Sequence, residues 1–438
     1  MGESRDAMLE QGRKALMGGF GAEGVRKPVI VKSEGARVWD DQGNSFIDLT
    51  SQSWTNNIGG SDPRIAEAAY QQALQLSHVR SMYQTEPQLM LAAQLAEIAP
   101  EGLGKVAFSL HGSTAIETAM RLALKNSDTP GPFIALNDAY HGRTFATMGL
   151  SWPHGERRFD QQIPWAIRVR QPYAYRAPKG VSPSEWAEKC AEDLREVIRA
   201  SHTQRPVAFI MEPVQGNGTQ LDFPVEYYQR VREICSETGV FLIFDEIQTG
   251  FGRTGKMWAS DYYGVTPDIL VFGKAAAGGY PLAGIIARED MKPFGPGEDA
   301  LTFGGFPPSM AAALENLRIL REGDYIENAA RMGEYTTGRL KELAERHPLI
   351  GEVRGPGLLI GVELVEDRET KAPAISATGQ VLERGWERGV MFGETRFANS
   401  GNVVKFKPPM CVTKDEIDIC VDVFDEILTE LEAERVNA

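Results

Sequence analysis

The chain has few of the residues that build metal sites or disulfide frameworks: four cysteines and six histidines in 438 positions. Cys190, Cys235, Cys411 and Cys420 show neither a C-x-x-C motif nor a Cys/His ligand spacing. That excludes a disulfide scaffold, leaves no metal site to assign, and predicts reduced, mostly buried thiols. Long apolar runs are absent as well. Val240-Phe-Leu-Ile-Phe244 is strand-sized, well short of the ~18 residues of a membrane span. There is no basic excess: 46 Lys+Arg against 60 Asp+Glu leave a net charge of −14. An overall field of that sign argues against gripping nucleic acid or an anionic membrane. The first twenty residues mix charges of both signs and lack an apolar core, so no secretory signal is read there and a cytoplasmic protein is expected. Asp6 stands where a myristoylation motif starting at Gly2 needs Ser or Thr. What is present is 42% apolar residues and 45 glycines, the make-up of a globular protein long enough for two or three domains.

Residues 1–20 read as a short amphipathic helix broken at Gly18-Gly19. Residues 28–50 read as a β-meander, with apolar alternation and the turn signal Asp40-Asp41-Gln42-Gly43. From about 62 to 310 helices and strands alternate. Apolar strand-like runs fall at 104–110, 132–138, 206–211, 240–246, 268–273 and 282–287. Helical periodicity occupies 84–98, 114–126, 184–200 and 225–238. Buried strands separated by helices predict an α/β fold with a mostly parallel mixed sheet covered on both faces. A long helix, a strand-like 352–365 region and a terminal amphipathic helix at 413–434 follow. The expected organisation is a large domain over 62–311 inside a small α+β domain built from residues 1–61 and 312–438.

Four motifs carry chemistry. Gly250-Phe-Gly252-Arg-Thr-Gly255-Lys256 is a literal GxGxxG after a strand. As a P-loop it fails, because Met257 cannot offer a hydroxyl to magnesium. As a dinucleotide loop it has an acid in range at Asp268, but the residues after it do not read as a helix. Leu110-His-Gly112-Ser113-Thr114-Ala-Ile-Glu117 follows a strand and carries a capping pattern at Thr114 and Glu117. The free N–H groups of such a helix start suit a phosphate, or simply cap a helix. Asp245 ends the apolar strand 240–245, where α/β proteins bind ligands; burial would raise its pKa, so it needs a cationic partner to stay ionised. Lys274 ends the strand 268–273 and is followed by small residues. A desolvated lysine there is a nucleophilic amine suited to an imine, or an ordinary turn lysine. Together, a phosphate seat, a strand-end acid and a strand-end amine are what pyridoxal phosphate needs.

Phe244-Asp-Glu-Ile-Gln-Thr-Gly-Phe-Gly-Arg-Thr-Gly-Lys256, Pro267-Asp268 and Gly273-Lys274 with Gly278-Gly279-Tyr280-Pro281-Leu282 resemble the class III aminotransferases, the ω-type subgroup of fold-type I pyridoxal phosphate enzymes. Gly112-Ser113, Tyr140-His-Gly-Arg143, Glu212-Pro213, Thr302-Phe-Gly-Gly305 and Arg354-Gly-Pro-Gly-Leu358 fall in the family's order, so the resemblance spans nearly the whole chain. It implies that Lys274 forms the Schiff base and shuttles the proton, and that Asp245 pairs with the pyridine nitrogen. Gly112 and Ser113 would bind phosphate, joined by Thr302 from a neighbouring subunit. Tyr140 would stack on the ring and Gln248 lie near its oxygen. Trp54 would line the substrate pocket. The GxGxxG becomes a family loop, and His141 a supporting neighbour.

Substrate recognition departs from the pattern. Thr114 and Phe306 stand where the family usually has an acid and an Asn or His. Where glutamate-using members carry an Arg balanced by Glu212, this chain has Lys405, which lacks the guanidinium's fork. Arg396 lies near the place of a mobile substrate Arg. The resemblance therefore implies ping-pong transfer from a primary amine or amino acid to a 2-oxo acid, pyruvate or 2-oxoglutarate. It also implies a homodimer with sites at its interface, and a tetramer stays open. Alternatives are a phospholyase, which Lys405-Phe-Lys-Pro-Pro-Met-Cys411 also resembles, a decarboxylase or epimerase on the same cofactor, a nicotinamide-dependent dehydrogenase, and a non-catalytic scaffold.

Overall fold

A computed structural model of the chain describes residues 5–16, 29–128, 130–151, 166–201, 204–216, 219–393 and 401–436. The N-terminal helix Arg5–Ala15 buries none of its side chains, and Gly18-Gly19 lie outside the described residues. The meander is β1 (Ile30–Glu34), β2 (Arg37–Asp40) and β3 (Ser45–Asp48), all antiparallel. Its turn is closed by Asp40, whose carboxylate accepts the N–H groups of Gln42 and Asn44 at 3.0 and 2.9 Å.

The central sheet has seven strands: β4 (Leu103–Ser109), β5 (Phe133–Leu136), β6 (Ala166–Val169), β7 (Ala208–Met211), β8 (Phe241–Asp245), β9 (Ile269–Phe272) and β10 (Ala283–Arg288). Their order is β4-β10-β9-β8-β7-β5-β6. β9, β8, β7, β5 and β6 run parallel, and only β10 is antiparallel to its neighbours β9 and β4. β6 is an edge strand that the sequence reading does not contain. The period of two sorts the side chains. Leu242 and Phe244 pack with helices Pro183–Ala200 and Val225–Thr238, while Ile243, Ile269 and Val271 pack with helix Gly112–Asn126 on the opposite face.

Helix Pro183–Ala200 shows how local chemistry sets these elements. Ser182 and Glu185 form a reciprocal cap: Ser182 Oγ accepts the Glu185 N–H at 3.2 Å and Glu185 accepts the Ser182 N–H at 2.8 Å. Pro183 starts the helix, and Trp186, Ala187, Cys190, Ala191, Leu194 and Ile198 form its buried stripe. Truncating Leu194 to Ala should cost ~2–5 kcal/mol. All four cysteines are free and only Cys411 is not buried.

The C-terminal strands are β11 (Ile350–Arg354), β12 (Ile360–Asp367), β13 (Ala372–Pro373), β14 (Val390–Met391) and β15 (Val403–Phe406). β12 pairs antiparallel with β11, β13 and β15, whereas β14 runs parallel to β3 and so ties the two chain ends into one sheet. Helix Lys414–Val436 closes the chain. Among the described residues, no helix is long and apolar enough to cross a membrane.

Candidate active site

The chemistry-bearing residues sit at the C-terminal ends of the strands parallel to β8. A cavity of about 190 Å³ there is lined by Gly112 and Ser113 after β4, Tyr140 and His141 after β5, Glu212 after β7, Asp245 and Gln248 at the end of β8, and Lys274 after β9. Such a crevice is where open α/β sheets bind ligands. Sequence reasoning named all of these residues, and the fold gathers them.

Lys274 opens a short turn, Lys274–Ala277, with its backbone in the left-handed region at φ +43°. That conformation is costly for a non-glycine residue and must be held from outside. Asn316 does so, its amide donating to the carbonyls of Ala275 and Ala276 at 2.9 and 3.2 Å. Desolvation pulls the Lys274 amine down to about 8, against the upward pull of Asp245 and Glu212. About one tenth of it is therefore free base at pH 7, far more than for an ordinary lysine.

Asp245 is 4% exposed. Its Oδ1 accepts the Ile247 N–H at 3.2 Å, and its Oδ2 lies 2.8 Å from His141 Nδ1, which must carry the proton because a carboxylate only accepts. His141 is thus the partner that a buried carboxylate requires. Its importance is understated by the sequence, since its bond to Asp245 is made across the sheet. Its Nε2 is buried without a partner among the described residues.

Glu212 accepts the Tyr140 N–H at 2.9 Å and the Gly216 N–H at 3.0 Å. Burial pushes its carboxyl up to about 7, opposed by His141 and reinforced by Asp245. Lys405, in β15 and buried, donates to the Gly216 carbonyl at 2.9 Å. Glu212 and Lys405 thus hold the same glycine from its two polar sides. Gly216 also passes close to Gln248; a Cβ there would lie 1.9 Å from Gln248 Oε1.

Helix Gly112–Asn126 begins three residues earlier than a cap at Thr114 predicts, with His111 at its N-cap. Thr114 pairs with His111, accepting its N–H at 3.4 Å and donating to its carbonyl at 2.8 Å; Glu117 takes no part in that pairing. The shift leaves Gly112 and Ser113 in the first turn, where backbone N–H groups lack intrahelical partners. Gly142, at φ +134°, lets the chain pass Ser113: a Cβ would lie 2.3 Å from Ser113 Oγ.

The glycine-rich loop is not a nucleotide cradle. It is a turn with positive φ at Phe251, Gly252 and Gly255, followed only by the short helix Ala259–Tyr263. Asp268 is engaged by Arg232 and Arg288 at 2.9 and 2.7 Å. The loop delivers Arg253 into the interior instead. Its guanidinium donates to Asn57 Oδ1 at 2.5 Å, Ser51 Oγ at 2.9 Å and the Pro408 carbonyl.

Residues 51–54 take four consecutive left-handed conformations, φ +46° to +66°, with no glycine among them. The cost is ~1–2 kcal/mol per residue. Asp48 offsets it by accepting the N–H of Thr50 and of Gln52 at 2.7 and 2.8 Å, and Arg253 anchors Ser51. The turn ends on Trp54, whose ring centre lies 4.8 Å from Lys274 Nζ. On the same ring, 3.6 Å from its centre, lies the ammonium of Lys407.

Thr302 is not brought to this cavity. It is exposed and lines a different groove, with Tyr83, Gln88 and Gly305. Arg396 lies outside the described residues.

The family profile for Aminotransferase class-III matches residues 20–428. The acetylornithine aminotransferase of Methanothermobacter thermautotrophicus is 34% identical over 428 residues, 97% of this chain and 99% of that protein. The leucine/methionine racemase of Thermococcus litoralis is 32% identical over 414 residues, 93% of this chain and 92% of that protein. The ω-transaminase of Pseudomonas jessenii, solved in complex with PMP, superposes with a TM-score of 0.90 at 30% identity, covering 96% of this chain and 97% of that one.

Proposed function

Because the chain belongs to the class III aminotransferases, which use pyridoxal phosphate to move an amino group from a donor amine to a 2-oxo acid, we propose a role for each residue of the cavity around Lys274. The donor set fits that cofactor: a helix start whose N–H groups lack intrahelical partners for a phosphate, a His-paired carboxylate for a protonated ring nitrogen, and a partly neutral amine for an aldehyde. When bound, the cofactor supplies that aldehyde and a ring that accepts electrons from the donor's C–H bond.

The chain does the rest. Gly112 and Ser113 hold the phosphate through their N–H groups. Asp245, oriented by the Nδ1–H of His141, keeps the ring nitrogen protonated, and Tyr140 and Ile247 wall the ring. Gln248 meets the ring oxygen. Lys274 Nζ would hold the cofactor and, when released from it, would take the proton of the donor carbon and give it up again, acting as base and acid in turn. Glu212 and Lys405 shape the end of the pocket that meets the substrate, with Trp54 as its aromatic wall. The reaction is ping-pong, donor first and acceptor second. The observation that carries this reading is the delivery of a left-handed strand-end lysine and a His-paired strand-end carboxylate into one cavity by adjacent parallel strands.

Thr302 serves a second copy of the chain in this reading. Its own cavity does not use it, and Met82, Tyr83, Met90 and Phe303 expose large apolar surface nearby in the chain or in its groove, at 64%, 62%, 48% and 47%. The assignment is a homodimeric, ω-type, cytoplasmic enzyme with a cofactor-binding body over 62–311 and a smaller one from 1–61 and 312–438. Purified protein given an amine and pyruvate should form alanine in step with loss of amine. Phosphate or CO₂ release without alanine would overturn the reading. The racemase relative supplies a second reading, tested by giving one enantiomer of an amino acid with no acceptor and following its optical purity.

A further inference from the structure

Lys407 is fully buried, and its ammonium has no hydrogen-bond partner among the described residues. A buried lysine without a partner is rare and costly. Its place is specific. Lys405 and Lys407 are two positions apart along extended chain leaving β15, so their side chains leave on the same side. The Lys407 ammonium rests on Trp54, the ring that Lys274 also approaches. The Trp54 indole N–H is likewise buried and unpartnered. Arg253 holds both supports, through Ser51 on the Trp54 turn and through the Pro408 carbonyl next to Lys407.

We propose that Lys407 and the indole N–H of Trp54 form the receptor for an anionic group, carboxylate or phosphate, carried by the amino donor. The inference rests on the transaminase reading of the Lys274 cavity. Both unsatisfied groups can donate, so what the site lacks is an acceptor, and an anionic group with two or three oxygens supplies it. The charges facing Lys407 agree: Lys405, Lys274 and Arg253 act on it as cations and Glu212 as an acid. Burial and those cations hold the Lys407 ammonium well below its usual pKa, so an arriving anion restores the charge the site disfavours when empty. The separations of the two amines from the indole place them within about 8 Å of each other, a span matched by a short chain between amine and acid.

The test uses the holoenzyme and single half-reactions, followed by the loss of visible cofactor absorbance. The donors are 4-aminobutyrate, 2-aminoethyl phosphate and the neutral, similarly shaped 4-methylpentylamine. In Lys407→Met and Lys407→Gln, the kcat/KM for an acidic donor relative to the neutral one should fall about tenfold or more, as for loss of a charge-assisted hydrogen bond. The acid whose ratio falls, carboxylate or phosphate, identifies the source of the anion. Trp54→Phe, which keeps the ring but removes the N–H, should lower the same ratio less. Glutarate binding heat should be lost with Lys407. The Met variant should also melt at a higher temperature, because a buried unpaired amine is gone. A ratio unchanged for both acids, or a lower melting temperature with glutarate still bound, would overturn the proposal. Wild-type enzyme that turns over none of the three donors would instead refute the transaminase reading itself.

Discussion

The depressed pKa of Lys274 makes a prediction with a defined shape. Its amine sits at about 8 rather than 10.5, because desolvation outweighs the attraction of Asp245 and Glu212. Only the free base attacks an aldehyde. Between pH 7 and pH 9 the free-base fraction rises from about one tenth to about nine tenths, a gain of about tenfold that then levels off; an ordinary lysine gains about a hundredfold over the same interval with no plateau. The assay is rapid mixing of cofactor-free protein with pyridoxal phosphate across a pH series, read by the growth of visible absorbance. Asp245→Asn removes a charge that raises the amine's pKa, so the midpoint should move down. The same depression acts on stability. Between about 8 and 10.5 the unfolded chain holds a proton at this residue that the folded chain has lost, so cofactor-free protein gains stability as pH rises through that window. Lys274→Met should make that slope shallower, the remainder coming from Lys407, whose pKa is also lowered. A hundredfold rise without a plateau, or a midpoint that moves up in Asp245→Asn, would refute the reasoning.

His141→Phe leaves the buried Asp245 carboxylate with only the Ile247 N–H; stability should fall by about 3 kcal/mol in urea titrations, and kcat by about tenfold to a hundredfold, as when partners that orient reactive groups are lost. Gly142→Ala combines an unfavourable φ with a Cβ 2.3 Å from Ser113 Oγ, so cofactor affinity should drop by about tenfold in absorbance titrations while the fold persists. Arg253→Met removes the donors that brace Ser51, Asn57 and Pro408; the unfolding midpoint should shift by the equivalent of about 3 kcal/mol.

Much of this site was legible because its signals are local. A strand-end lysine after a buried apolar run, and an acid at the end of the next strand, are readable from period and position. Six of the seven central strands follow from the same runs. β6 does not, because Arg168 interrupts Ala166–Val169 and leaves no continuous apolar run, whereas the equally short β5, β7 and β9 are apolar throughout. The cap of helix Gly112–Asn126 lies three residues before the one that Thr114 and Glu117 predict, because His111 and Thr114 supply it instead. The bond from His141 to Asp245 spans 104 positions and leaves no spacing to read. The left-handed turn at 51–54 is hidden for a different reason. Ser, Gln, Ser and Trp have no preference for positive φ; Asp48 and the distant Arg253 impose it. Lys407 shares its motif with Lys405, and the sequence distinguishes the two by neither burial nor partner.

The central claim is that the amine at position 274 carries the cofactor, and borohydride reduction of the pyridoxal phosphate-loaded protein tests it most directly. Peptide mapping should find the reduced pyridoxyl group on Lys274. A label on another lysine, or none on fully loaded protein, would contradict the account.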